Sequence, residues 1–142
     1  MAATPDPGPG ATGTHAGKVA VVTGAARGVG QAICRRLAQR GAAVAGMDIG
    51  DLGETRTMIE QAGGRWLSVC GDAGDAQDTQ RAEHEVRAAL GPCTILVNNA
   101  GIYGNVPWDD LDWETWRRYQ RVNIDSQFLM CKAFVPGMKA AG

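Results

Sequence analysis

The stretch TGAARGVG at residues 23–30 sets three glycines and an arginine within eight residues. Without Cβ atoms, backbone N–H groups can converge on an anion, and a helix start adds a favourable dipole, so such a turn suits a phosphate. An apolar run, KVAVVT at 18–23, leads into it, and Val29, Ile33 and Leu37, with Ala32 beside them, recur at helical spacing after it. Strand, glycine turn and helix in that order form the pyrophosphate-binding turn of a Rossmann unit. There Gly24 takes the conformation that leaves the strand. Gly28 admits the phosphates closely because a Cβ would collide, and Gly30 lets the helix pack tightly on the sheet. The spacing is G-x-x-x-G-x-G rather than G-x-G-x-x-G. No Gly-Lys-Ser/Thr follows, which excludes a P-loop. A purely structural glycine turn is the competing interpretation.

An acid follows at the expected distance. Asp48 closes the run AAVAGMD (42–48), 18 residues after Gly30. A carboxylate at the end of strand two accepts hydrogen bonds from the adenosine 2′-hydroxyl and repels a 2′-phosphate, which argues for NAD over NADP. Arg27 pulls the other way, since a guanidinium can pair with that extra phosphate. The alternative is an aspartate solvated in a turn.

The elements that must hold these groups alternate along the chain. RWLSVC (65–70) and TILVN (94–98) are further strands, residues 54–62 a short helix stopped by Gly63-Gly64, and Ala76 to Leu90 a charged amphipathic helix stopped by Gly91-Pro92. From Asp112, an N-cap, a helical pattern runs toward Gly137 with Ile124, Phe128, Cys131 and Val135 on its apolar side. Strands one and four are apolar at consecutive positions, the mark of a parallel sheet covered on both faces. The fold class is therefore α/β, a Rossmann-type doubly wound parallel sheet.

With 142 residues, 44% of them hydrophobic, and a net charge of −1, the chain fits one domain. That charge balance gives no reason to expect nucleic acid or an anionic membrane as partner, and no apolar run is long enough to span a bilayer. Residues 1–17, rich in Pro, Gly, Ala and Thr, are expected to be a disordered leader, leaving 18–142 as the domain. Cys34, Cys70, Cys93 and Cys131 form no CxxC pair, so neither zinc nor a disulfide framework is implied, and a reducing cytoplasm is expected.

These residues resemble the short-chain dehydrogenase/reductase family. TGAARGVG is similar to its TGxxxGxG cofactor turn, and NNAG (98–101) to its sheet-stabilising motif. Asp72, in CGDAGD, matches the aspartate that contacts adenine, and Asn123, in RVNIDSQF, the helix asparagine of an Asn-Ser-Tyr-Lys tetrad. Order and spacing agree from Gly17 to Gly142. More narrowly, VNIDSQFLMCKAFVPGMKAAG is similar to bacterial 1-phenylethanol-type secondary alcohol dehydrogenases.

The resemblance implies hydride transfer between a secondary alcohol or ketone and NAD, in a protein that forms homo-oligomers. It implies cofactor contacts from Thr23, Gly24, Arg27, Gly28, Val29, Gly30, Asp48, Asp72, Ala73, Asn99, Ala100 and Gly101, with Asn123 as a catalytic residue. Physical reasons accompany several of these. Asparagines in NNAG can satisfy backbone groups where strands diverge, and Ala100 and Gly101 leave room for the nicotinamide-side ribose. Asparagine is a poor helix former, so Asn123 in mid-helix points to a specific job, against the alternative of a tolerated helical residue.

The family's serine and Tyr-x-x-x-Lys do not occur. Tyr103 and Tyr119 have Pro107 and Asn123 four residues on, and Ser68 and Ser126 lie ahead of where that serine belongs. The chain thus corresponds to the cofactor-binding part, truncated after the fifth helix, with expected strand order 3-2-1-4 and strand four at an edge. A non-catalytic NAD-binding module is the alternative function. An S-adenosylmethionine methyltransferase would also use an acid after strand two, but it gives NNAG and Asn123 no purpose.

Overall fold

In the computed structural model, which describes residues 13–142, β1 (Val19–Thr23) is buried along its whole length. Such a strand needs neighbours on both edges and cover on both faces. β2 (Ala43–Asp48) and β4 (Ile95–Val97) flank it, and β3 (Trp66–Cys70) pairs with β2, giving a parallel sheet in the order β3-β2-β1-β4. This is the expected order, with β4 at an edge.

Side chains alternate between two cores, as the period of a strand requires. Val19, Val21, Ala43, Ala45 and Met47 face a cluster completed by Ala82 and Val86 of α3 (Ala76–Ala89) and by Met130 and Phe134 of α5 (Ser126–Ala141). Ala20, Val22 and Val44 face the opposite cluster, with Cys34 of α1 (Gly28–Gln39) and Ile59 of α2 (Gly53–Gln61). The consecutive apolar residues of strand one thus serve two layers of helices.

β4 is shorter than the five residues of TILVN. Thr94 stays outside the strand but holds its start: its Oγ1 accepts from Val19 N–H at 3.0 Å, and its own N–H donates to Val19 O at 2.9 Å. Residues 13–17, expected within the leader, form turns against the end of α1, with His15 N–H donating to Arg40 O at 2.9 Å. The rest of the expected leader lies outside the described residues.

The last helix differs most from expectation. α4 (Trp113–Gln120), capped by Asp112 Oδ1 on Thr115 N–H at 2.7 Å, passes through one π-helical turn, Arg121–Asp125, into α5. α5 continues through Pro136 and Gly137 to Ala141. The face turned to the sheet carries Ser126, Met130 and Phe134. Ile124 and Phe128, expected on the apolar side, are 58% and 64% exposed. Cys131 is exposed and Val135 half-buried. The reason is that α5 is apolar nearly all round, so spacing alone cannot choose its inward face, and one extra residue in a π turn advances the phase by about 100°.

Candidate functional site

The glycine turn bridges β1 and α1 beneath the loop that follows β4. Thr23, 2% exposed, ends β1, and its Oγ1 accepts from the N–H groups of Asn99 (3.1 Å) and Ala100 (3.0 Å). Asn99 returns the contact, its Nδ2 donating to Thr23 O at 3.0 Å and Gly24 O at 3.2 Å. NNAG therefore does satisfy backbone where β1 and β4 part, through its second asparagine. Asn98 instead points its Nδ2 at Cys131 Sγ, 3.6 Å away.

Gly24 and Gly28 have φ of +67° and +59°, a left-handed backbone that disfavours other residues. At Gly28 the backbone conformation is a further reason for glycine. A Cβ there would meet nothing within 4 Å, so the conformation demands glycine and its outer side stays open. At Gly30 a Cβ would overlap the Gly24 carbonyl oxygen and lie 2.7 Å from Asn99 Nδ2. Gly30 thus lets the helix close on the turn itself rather than on the sheet.

The helix starts of the chain are not treated alike. Asp75 caps α3, its Oδ1 accepting from Gln77 and Asp78 N–H groups, and Asp112 caps α4. α1, with Arg27 as its N-cap residue, has no side-chain cap, and neither has α2 at Leu52. Arg27, Gly28 and Val29 are exposed at the start of α1, Val29 at 69%, so Val29 is outside the core its spacing suggested.

Asp48 is tied to the same turn. Its Oδ2 accepts from Ala26 N–H at 3.0 Å and its Oδ1 from Gly50 N–H at 2.8 Å, so it is not a freely solvated side chain. Thr55, fully buried in α2, donates to Ala25 O at 2.9 Å, and Gln31 Nε2 donates to Thr55 Oγ1 at 3.1 Å. Neither residue was singled out from the sequence, because a threonine inside a polar helix carries no local signal of burial.

Asp72 lies in the loop after β3. Its N–H donates to Asp78 Oδ2 (2.8 Å), its Oδ1 accepts from Gly74 N–H (2.7 Å), and its Oδ2 forms a salt bridge with Arg121. The Asp72 N–H, followed by the Arg81 guanidinium, holds the Asp78 carboxyl below the usual carboxylate range. The Ala73 methyl is buried in the core beside α3.

Asn123 sits in the middle of the π turn, and its amide clamps one residue at both backbone groups. Oδ1 accepts from Ile102 N–H at 2.8 Å, and Nδ2 donates to Ile102 O at 2.9 Å. Gly101 runs beneath it, where a Cβ would lie 3.3 Å from Asn123 Oδ1. Gln127 Nε2 donates to the Asn123 carbonyl at 2.7 Å. This helix asparagine thus holds the loop after β4, a contact that the sequence pattern did not locate. Among the described residues no group of acidic, histidine or cysteine side chains could hold a metal ion, and no helix is long and apolar enough to cross a membrane.

A parallel sheet with helices on both faces, whose first strand runs through a glycine turn into an uncapped helix, defines an α/β protein of the Rossmann type. A family model described as short chain dehydrogenase matches residues 18–142, and the chain belongs to that family. D-threitol dehydrogenase of Mycolicibacterium smegmatis is 37% identical over 129 residues, covering 89% of this chain and 49% of that protein. Carveol dehydrogenase of Mycobacterium avium, solved in complex with NAD, superposes with a TM-score of 0.85 at 29% identity, covering 92% of this chain and 52% of that one. L-sorbose reductase of Gluconobacter frateurii, complexed with NADPH and L-sorbose, gives 0.83 at 32% identity, with 94% and 50% covered. The chain spans about half the length of the relatives it matches.

Proposed function

We propose that residues 18–142 are the cofactor-binding part of an oxidoreductase that moves a hydride between a secondary alcohol or ketone and a nicotinamide cofactor, with NAD preferred to NADP. The observation that carries this is the uncapped start of α1, joined through Ala26 N–H to the Asp48 carboxylate. The residues suit a dinucleotide. Gly28 leaves its outer side open, and the first N–H groups of α1 lack a side-chain partner.

When bound, the nicotinamide supplies the hydride acceptor or donor, and the chain's own residues bind and orient it. Gly24, Gly28 and Gly30 bring backbone N–H groups to the pyrophosphate, with Arg27 as counter-charge and Val29 as an apolar flank. Asp48, fixed by two backbone donors, accepts from the adenosine ribose hydroxyls. Asp72 and the Ala73 backbone face the adenine, while Thr23 and Asn99 hold the turn. Ala100 and Gly101 make room for the nicotinamide-side ribose, and Asn123, by clamping Ile102, steadies the loop there. A small-molecule alcohol or ketone as substrate, a homo-oligomer and a cytoplasmic location complete the proposal. The names of the relatives, dehydrogenases and a reductase of small hydroxylated or carbonyl compounds, support the substrate class.

Titration calorimetry of the chain with NADH and NADPH tests the proposal. NADH should bind more tightly, and Asp48→Ser should shift the ratio toward NADPH by roughly tenfold or more, the size of losing one like-charge contact. Asp48→Asn removes the charge but keeps only one of the two acceptors that serve the Ala26 and Gly50 N–H groups, so it should shift the ratio in the same direction as Asp48→Ser while retaining one loop hydrogen bond. Absence of heat with NADH, or tighter binding of NADPH by the wild-type chain, would refute it.

A further inference from the structure

We propose that Arg121 is a positioning residue that couples the Asp72 loop to the loop after β4, so that occupancy of the adenine end is felt at Ile102; this rests on the cofactor-binding function proposed above. The Asp72 loop is anchored to itself, to the start of α3 and to the end of β2. Asp72 N–H donates to Asp78, and Gly74 and Asp75 N–H groups donate back to Asp72 Oδ1 and O. Gly71 N–H reaches Asp48 O of β2 and the Ala73 methyl is buried in the core, but the one side-chain hydrogen bond from the loop to the segment after β4 is Asp72 Oδ2 on Arg121, 49 residues along the chain. Among the described residues this is the only salt bridge that is not formed within a single helix.

Arg121 packs as well as pairs. A Cβ on Gly74 would lie 3.2 Å from Arg121 Cγ and 3.3 Å from its carbonyl oxygen, so stem and backbone both lie along the loop. Arg121 also opens the π turn, its carbonyl accepting from Ser126 N–H five residues on. Two residues later Asn123 grips both backbone groups of Ile102. A short, hydrogen-bonded piece of helix therefore has one end on the loop after β3 and the other on the loop after β4. Its contribution is to orientation rather than to stability, because the Arg121 and Asp72 side chains are 47% and 31% exposed and such pairs stabilise folds weakly.

AMP is the probe, since it can fill an adenine site but cannot reach the nicotinamide end. The readout is amide hydrogen exchange at Ile102 in the full chain, with AMP affinity measured alongside. AMP should slow exchange at Ile102 about two- to fivefold, the range a half-exposed ion pair can transmit. In Arg121→Gln, AMP should still bind but leave Ile102 unchanged, and Arg121→Lys should restore part of the effect. Full retention of the AMP effect in Arg121→Gln, or AMP binding to the wild type without any change at Ile102, overturns the coupling alone. Failure of AMP to bind the wild-type chain overturns the adenine site, and the coupling with it.

Discussion

Replacing Thr23 by valine keeps the shape of a buried side chain and removes one oxygen. That oxygen accepts two backbone N–H groups, from Asn99 at 3.1 Å and Ala100 at 3.0 Å. Both N–H groups lose their partner at once, and an unpaired buried donor costs about 1–3 kcal/mol. Asn99 and Ala100 are half-buried, so water can reach them in part, and the lower half of the summed range, about 2–4 kcal/mol, is expected. Against a domain stability of about 5–15 kcal/mol this is a large fraction. With a urea slope of about 1–3 kcal/mol per molar, the unfolding midpoint should fall by roughly 1–2 M. Thr23→Ser is the control: it keeps the acceptor and loses one methyl group, about 1 kcal/mol. Amide exchange at Asn99 and Ala100 should quicken in Thr23→Val and not in Thr23→Ser. A valine variant within about 0.5 kcal/mol of wild type, or more stable than the serine variant, would refute the reasoning.

Two glycines in helices should respond in opposite directions. Gly30→Ala places a Cβ on the Gly24 carbonyl and should destabilise the chain, whereas Gly137→Ala meets nothing within 4 Å and should stabilise it by about 0.5–1 kcal/mol; paired urea titrations check both signs. Burial pushes the Cys34 thiol up to about 12 and Cys93 to about 11, while Cys70 and Cys131 are exposed. A thiol reagent at pH 8 should therefore modify Cys70 and Cys131 first, and Cys34 and Cys93 only on unfolding, as read by mass spectrometry. A raised folded-state pKa contributes stability that is complete below the unfolded value of about 8.5 and lost as pH climbs toward the folded ones. The urea midpoint should accordingly decline above pH 8.5, and less so in Cys34→Ala.

Much of the framework was legible in the residues alone. The consecutive apolar positions of VAVVT announced a strand covered on both faces, because only a buried parallel strand can use every side chain. The caps at Asp112, the stops at Gly63 and Gly91, and the glycine turn are local devices whose chemistry acts within a few residues, so spacing reveals them. Tertiary contact decided the rest. Gly28 and Gly30 are demanded for different reasons, a left-handed backbone at one and the Gly24 carbonyl and Asn99 across from the other. Ile124 and Phe128 match Met130 and Phe134 in type and spacing, yet the π turn and the sheet select which pair is buried. Asn123 was visible as an odd residue in a helix, but its partner, Ile102, lies 21 residues back. The same holds for Thr55 under the glycine turn and for Arg121 on Asp72, 29–30 and 49 residues from their partners. A pattern along the chain records forces between neighbours in sequence. Contacts that depend on two distant segments meeting exist only once the sheet has brought them together.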